Sequence, residues 1–396
     1  MIKGIKVRLK PNNKQKTKLF ESAGVARFAY NWTLNKQIEN YKNGGKFISD
    51  GELRKEFTKL KQTEEYSWLN NYSNNITKQA IKDACDSFIK FFKGESKYPK
   101  FKSRKKSKPS FYVDTNKIQF TGTHVKLEKL TTSRKKNKQQ LNWIRLCERE
   151  RIPYGEGIKY INPRVSFDGL NWWISVGIEY PEIKDTPTNE GIGIDLGVLD
   201  LAICSDGSIY KNINKTKEIK RLEKKKKRLQ RKVSRKYEMN KIKMKGGEVR
   251  YKKTKNIIKL ENQLKKLNQR LTNIRHNYSH QITTEIIKRK PSFIVVEDLN
   301  VSGMMKNKHL SKAIQQLRFH EFYRQIQYKC EWNNIKFIVA DRYFPSSKIC
   351  SQCNSYKKDL KLSDREYICE YCGCKIDRDY NASLNLKNYG QLAINQ

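Results

Sequence analysis

Two Cys-x-x-Cys pairs fifteen residues apart, Cys350 and Cys353 and then Cys369 and Cys372, constrain this chain more than any other feature. Thiolates at this spacing suit two tight turns, each presenting two sulfurs to one tetrahedral Zn2+, so residues 343–378 are predicted to form a zinc-binding module. Such binding supplies about 10–16 kcal/mol of apparent energy in zinc-finger peptides, enough to fold a loop that has no core of its own. Cys374 is left over as a non-ligand. Cys85, Cys147, Cys204 and Cys330 lie scattered among apolar residues, where a thiol serves as a small core side chain.

Cysteines committed to a metal rather than to disulfides imply a reducing compartment. The chain has no run of about 18 apolar residues, and its start, M-I-K-G-I-K-V-R-L-K, lacks the apolar centre of an export signal. A cytoplasmic, nucleoid-associated protein with no membrane partner is therefore expected. Its 396 residues carry 84 Lys plus Arg against 40 Asp plus Glu, a net +44. Unneutralised charge of one sign works against a compact state, so the surplus calls for a polyanionic partner, nucleic acid first.

The texture of the chain changes three times. Residues 5–9 alternate as a strand and stop at Pro11. A helical region follows over 13–97, with Leu19, Phe28, Leu34 and Ile38 at helical spacing up to Gly44 and Gly45. Ser49 and Glu52 there form a capping-box pattern, and Ile81, Cys85, Phe88 and Phe92 share one helix face. Short alternating runs over 98–184 predict a small β domain. Its leading stretch mixes bases with Tyr98, Phe101, Phe111 and Tyr112, which suit stacking on nucleobases and a half-buried β edge equally. Lys100, Arg104 and Lys105 are candidate phosphate contacts there.

Residues 185–396 form the third region, opened by two strand-like runs and a long helical hairpin over 213–290. Ile219, Leu222, Leu229 and Val233 can pack on a stripe running from Leu260 to Ile282, with a turn near Gly246 and Gly247. Between 211 and 260 there are 22 Lys or Arg against four Glu. That density favours a phosphate backbone along the hairpin, with Lys225, Lys226 and Arg228 as candidate contacts.

Three acids punctuate this region. In G-I-G-I-D-L-G-V, Asp195 alternates with Gly193 and Gly197 on one strand face, an arrangement that predicts open space beside the carboxylate. In S-F-I-V-V-E-D-L-N a four-residue apolar strand ends in Glu297 and Asp298, which face oppositely. In D-R-D-Y-N-A-S, Asp377 or Asp379 opens a helix. Acids on three separate elements are the minimum set for two Mg2+ ions about 3.5–4 Å apart, the arrangement used for phosphodiester hydrolysis. With five histidines in the chain, imidazole-based catalysis is disfavoured.

The stretches G-I-D-L-G-V-L-D-L-A-I-C-S-D-G, F-I-V-V-E-D-L-N-V-S-G-M, D-R-Y-F-P-S-S-K-I-C-S-Q-C and D-R-D-Y-N-A-S-L-N-L-K-N together resemble the TnpB family, transposon-encoded RNA-guided endonucleases related to compact type V CRISPR effectors. The resemblance implies a multidomain α+β chain. Its RNase H-like (RuvC) α/β nuclease core would carry a zinc-ribbon insertion and a basic helical hairpin. An N-terminal helical recognition domain and a small β-barrel wedge domain, which takes residues 1–12 as its first strand, would complete it.

The resemblance also implies Asp195, Glu297 and Asp379 as Mg2+-binding catalytic acids, the last because the family acid precedes x-Asn-Ala. Guide RNA and double-stranded target DNA are the implied partners, and a monomer is favoured. Asn354 stands where the family commonly has Gly, and Asn tolerates left-handed backbone better than most residues. The competing readings are a miniature CRISPR effector, a nuclease-inactive RNA-guided repressor, and a sequence-independent nucleic-acid binder.

Overall fold

The computed structural model describes residues 1–131, 141–181, 186–244, 247–361 and 364–395. It divides into two compact units, Met1–Pro181 and Glu182–Gln396.

In the first unit, strand β1 (Ile2–Lys10) leads into helices α1 (Asn13–Lys42), α2 (Asp50–Leu60) and α3 (Asn74–Phe92). Strands β2 (Ser110–Tyr112), β3 (Gln119–Phe120), β4 (His124–Lys126), β5 (Trp143–Leu146), β6 (Tyr160–Phe167) and β7 (Trp172–Glu179) follow. The sheet order is β2-β6-β7-β1-β5-β4-β3, so the first strand lies in the middle of a sheet built from residues a hundred positions later. Alternation explains the placement: Val7 and Leu9 are buried while Lys6, Arg8 and Lys10 face outward or lie at the edge. Helices and sheet share one hydrophobic core that joins Val7, Leu34, Phe57, Phe88, Ile144 and Ile174.

Local signals hold well here. The Ser49/Glu52 capping box is formed, and Asn12 with Gln15 forms a second one at the start of α1. Ile81, Cys85 and Phe88 are buried as expected, whereas Phe92 is 54% exposed. It is the last residue of α3, where the helix has run past the core and the chain turns at Lys93 and Gly94.

The basic stretch after α3 is pinned to α1. Asn31 exchanges two hydrogen bonds with the Lys102 backbone, at 2.8 and 2.9 Å, and the Lys102 ammonium lies 3.4 Å over the Tyr30 ring. Of its four aromatics, Phe111 belongs to the core and Tyr112 is half-buried, while Tyr98 and Phe101 are exposed. Lys100, Arg104 and Lys105 are all exposed.

The second unit is a five-stranded sheet with helices on both faces. Strands β8 (Ile192–Asp195), β9 (Asp200–Cys204) and β10 (Ile209–Lys211) run antiparallel in succession. Helix α4 (Lys217–Glu238), a two-stranded ribbon β11 (Lys241–Lys243) and β12 (Val249–Tyr251), and helix α5 (Lys255–Lys288) intervene. Strand β13 (Phe293–Glu297) follows, and then α6 (Val301–Met304), α7 (Ser311–Leu317) and α8 (Phe319–Trp332). Strand β14 (Lys336–Ala340) completes the sheet, β15 (Glu366–Ile368) pairs with β16 (Lys375–Asp377), and α9 (Arg378–Asn395) ends the chain. The order is β10-β9-β8-β13-β14, with β13 parallel to both neighbours.

One sheet face, with Ile192, Ile194, Ile294 and Val296, packs on Ile282 and Ile286 of α5 and Phe322 and Ile326 of α8. The other, with Phe293 and Val295, packs on Leu386 of α9. The helical hairpin closes on Ile219, Leu222, Leu267 and Leu271 as its leucine pattern predicts. The two helices are joined by the β11–β12 ribbon rather than by a simple turn; Gly247 adopts φ 83° and Gly246 lies outside the described residues. Lys225 and Arg228 are exposed, whereas Lys226 leans on Glu223, which also takes a 2.8 Å ion pair from Arg275. Among the described residues no helix is long and apolar enough to cross a membrane.

Candidate active site and metal centre

Asp195 ends β8 and Glu297 ends β13, and the two strands are parallel neighbours with Ile194 opposite Val296. Strand alternation puts Asp195 on the face of Gly193, and Glu297 on the face of Phe293 and Val295, the side that α9 covers. Asp379 is in the first turn of α9. Two strand ends and one helix start thus converge their carboxylates at one edge of the sheet.

The electrostatics report the convergence. Burial raises the Asp195 carboxyl well above its ordinary value, and repulsion from Glu297 and then Asp379 adds to the rise. Glu297 is raised too, by burial first, opposed by a hydrogen bond from the Ser346 hydroxyl and reinforced by Asp379. Carboxyl oxygens are the usual ligands of hard divalent cations; among the described residues, the four zinc-module cysteines are the group whose ligand atoms already lie within 4.8 Å of one another. Asp379 is braced by Arg378, at 2.9 and 3.1 Å, and faces Arg365 at 3.7 Å.

The members of the two ambiguous acid pairs have different partners. Asp377 spends its carboxylate on the backbone N–H groups of Asp379 and Tyr380, at 3.0 and 2.9 Å, which is the work of a helix N-cap. Asp298 follows the end of β13 and pairs with Arg342 at 2.6 Å, on the wall of a cavity of about 610 Å3 that Glu297 also lines.

The glycines beside Asp195 do not provide open space. A Cβ on Gly193 would lie 2.0 Å from the Ser383 carbonyl oxygen, and one on Gly197 would lie 2.9 Å from that of Asp200. Gly193 is bare because α9 crosses directly over β8, and that crossing brings Asp379 to the strand ends. The expectation of a vacant flank is corrected: the space is filled by backbone, that of α9 at Gly193 and that of Asp200 in β9 at Gly197.

The zinc ligands gather as expected. The four sulfurs of Cys350, Cys353, Cys369 and Cys372 all lie within 4.8 Å of one another, with pairs at 3.5 and 3.6 Å. A tetrahedron of about 2.3 Å Zn–S bonds needs sulfurs roughly 3.8 Å apart, so the set fits Zn2+. The Cys369 thiol is pulled down to about 6 by the backbone N–H of Cys372 and the Ser355 hydroxyl, which favours the ligating thiolate.

The two knuckles match: Asn354 N–H donates to Cys350 O at 2.9 Å and Gly373 N–H to Cys369 O at 3.1 Å. Asn354 takes φ 63° and Gly373 φ 71°, so the asparagine does adopt the left-handed backbone that a glycine would. Cys374 stays outside the cluster. A small core of Tyr367, Cys350 and Cys369 sits beneath.

Sequence reasoning missed the polar residues that brace these groups: Ser346, Arg378, Asn381 and Asn385. The one available signal was the four-residue spacing of the two asparagines, which puts both on one face of α9.

Three family models match in chain order: a helix-turn-helix domain of the OrfB/IS605 type over residues 1–46, an OrfB/IS605 "Probable transposase" over 174–308, and a Cas12f1-like TNB domain over 319–386. Over 99% of its length the chain is 29% identical to a Streptomyces pristinaespiralis protein named "Putative RNA-guided DNA endonuclease", covering 90% of it. It is 27% identical, again over 99%, to "Putative RNA-guided DNA endonuclease InsQ" of Escherichia coli (strain K12), covering 93%. The chain is similar to TnpB-type proteins along its whole length. Its fold is shared with the protein chain of a Cas12f1-sgRNA-target DNA complex solved by cryo-EM, with a TM-score of 0.60 and 15% identity over 98% of this chain and 99% of that one. This chain sets a four-cysteine module immediately before its last helix.

Proposed function

We propose that the chain is an RNA-guided, Mg2+-dependent DNA endonuclease, encoded by a transposon, that cuts target DNA beside a short flanking motif through one RuvC-like site. The observation that carries this reading is the proximity of Asp195, Glu297 and Asp379, in which burial first and then the charges of Glu297 and Asp379 raise the Asp195 carboxyl well above its ordinary value. The full-length likeness to proteins named as RNA-guided DNA endonucleases supports it.

Asp195, Glu297 and Asp379 would hold two Mg2+ ions, which supply an activated water and stabilise the leaving oxygen of the scissile phosphodiester. The residues' own tasks are distinct. Asp195 and Glu297 enter from rigid strand ends, which limits their motion; Asp379 enters from a helix start capped by Asp377. Arg378 and Arg365 hold the Asp379 carboxylate and place positive charge beside a phosphate-binding edge.

In this reading the sheet β10-β9-β8-β13-β14, three antiparallel strands followed by two parallel ones, is the RNase H-like core. The seven-stranded sheet is the wedge domain and α1–α3 the recognition domain, gripping a guide scaffold and the motif-bearing duplex. Base pairing supplies sequence specificity, and the protein reads duplex shape and the flanking motif. Zn2+ at the four cysteines is structural.

Copurification tests the reading. Nucleic acid recovered from the expressed protein and sequenced is expected to be one structured RNA with defined ends; random fragments of RNA or DNA would contradict guided cleavage.

A further inference from the structure

Ser346 is neither an acid nor a zinc ligand, yet it touches what holds both. Only 4% exposed, it donates its hydroxyl to Glu297 Oε1. Its carbonyl accepts the side-chain amide of Asn385 at 2.7 Å. The same Asn385 amide reaches Ile349 O at 2.6 Å, one residue before the first zinc cysteine. One turn earlier on α9, Asn381 donates to Ile349 O at 2.6 Å and accepts from Ser351 N–H at 3.0 Å.

Both asparagines are essentially fully buried, at 0% and 2% exposure. A buried amide without partners is costly, so each fixes the position of the backbone it bonds. The consequence is geometric. Residues 346–351 cannot shift relative to α9 without breaking these bonds, and α9 carries Asp379 two residues before Asn381. One set of contacts therefore ties the base of the zinc module to the helix of the third acid, and through Ser346 to the second acid. A hydroxyl on one Glu297 oxygen also leaves the other free to face a ligand in a fixed direction.

We propose that Ser346 is a positioning residue for Glu297, held in register by Asn381 and Asn385, so that the first zinc knuckle is a strut of the acid site. The inference rests on the reading of Glu297 as a metal-binding acid. Hydrogen-bond partners behind metal-binding side chains commonly account for about 10- to 100-fold in affinity or activity.

The test compares Ser346→Ala, Ser346→Thr and Glu297→Gln in the full chain with its copurified RNA. Mn2+ affinity is read by electron paramagnetic resonance, beside zinc content, RNA retention and cleavage. Ser346→Ala is expected to weaken Mn2+ binding by about 10- to 100-fold, with zinc and RNA unchanged and cleavage partly recovered at high metal. Ser346→Thr, which keeps the hydroxyl, should restore binding. Asn385→Ala combined with Ser346→Ala should cost little more than either alone.

Wild-type Mn2+ affinity in Ser346→Ala, or a threonine variant no better than alanine, would overturn the proposal. So would zinc lost in step with Mn2+, or additive losses in the double variant. Glu297→Gln separates the two levels: if it binds Mn2+ normally, the acid assignment itself falls. If it loses Mn2+ while Ser346→Ala does not, only the role of Ser346 falls.

Discussion

Gly193 in β8 lies directly beneath the backbone of Ser383 in α9, so close that a single added methyl would meet the Ser383 carbonyl oxygen at 2.0 Å. This contact sets the distance between the sheet that carries Asp195 and Glu297 and the helix that carries Asp379.

Gly193→Ala should therefore act as an overpacking mutation with a functional signature. A loss of about 1–3 kcal/mol of stability is expected from forcing α9 off the sheet, measured by thermal or urea unfolding. Cleavage should fall more than that loss explains, because Asp379 moves with the helix. A variant as stable and active as wild type would show that the contact is not tight in solution.

Asp377 caps α9, and Asp379 is the proposed site acid. Asp377→Ala removes an N-cap and should cost about 1 kcal/mol while cleavage persists. Asp379→Ala should abolish cleavage with unfolding changed little. Reversed outcomes in a paired melting and cleavage assay would exchange the two roles.

Chelation of zinc, or Cys369→Ser, is expected to disorder residues 343–378 and to reduce cleavage more than RNA binding. Hydrogen–deuterium exchange locates the disorder, and filter binding measures the retained RNA. Equal loss of both activities would give the module a broader structural role.

His280, on α5 against His276, Lys329 and Glu321, is pushed down to about 4, chiefly by burial. The unfolded imidazole takes its proton near 6.5, so between those values the unfolded state binds more protons, and stability falls as pH drops from 6.5 to 4. Partial exposure screens the effect to roughly 1–2 kcal/mol. Urea midpoints across this range should decline in the wild type and flatten in His280→Gln; parallel curves would remove His280 as the cause. Glu321, held down to about 2 first by Arg324, keeps its charge throughout the window.

The hairpin cations predict a salt effect. Lys225→Ala with Arg228→Ala should lower the slope of log affinity against log salt for RNA by about 1 to 2. An unchanged slope would mean that the exposed face of α4 does not meet phosphate.

What could be read in advance followed from periodic and local physics. The zinc spacing, the capping box at Ser49, the leucine seam of the hairpin and the strand ends at Asp195 and Glu297 each depend on a few neighbouring residues. The central position of β1 in a sheet of later strands was not legible, because strand partners are chosen by long-range packing. Gly193 was misread for the same reason, since only the crossing of α9 shows what fills the space beside it. The choice between Asp377 and Asp379 needed the family likeness in the sequence; the structure adds that Asp377 caps α9 while Asp379 pairs with Arg378 and Arg365. Ser346, Asn381 and Asn385 left almost no trace, because polar residues that brace a site look like ordinary loop and helix polarity until their partners are in place.

The most direct test of the guided-nuclease reading is cleavage by Asp195→Ala. Wild-type protein and variant, each purified with its copurified RNA, are given Mg2+ and plasmids that carry the complementary target beside a randomised flank. The variant is expected to retain the RNA and bind the target while its cleavage disappears. Cleavage at the wild-type rate by Asp195→Ala would contradict the assignment of the site.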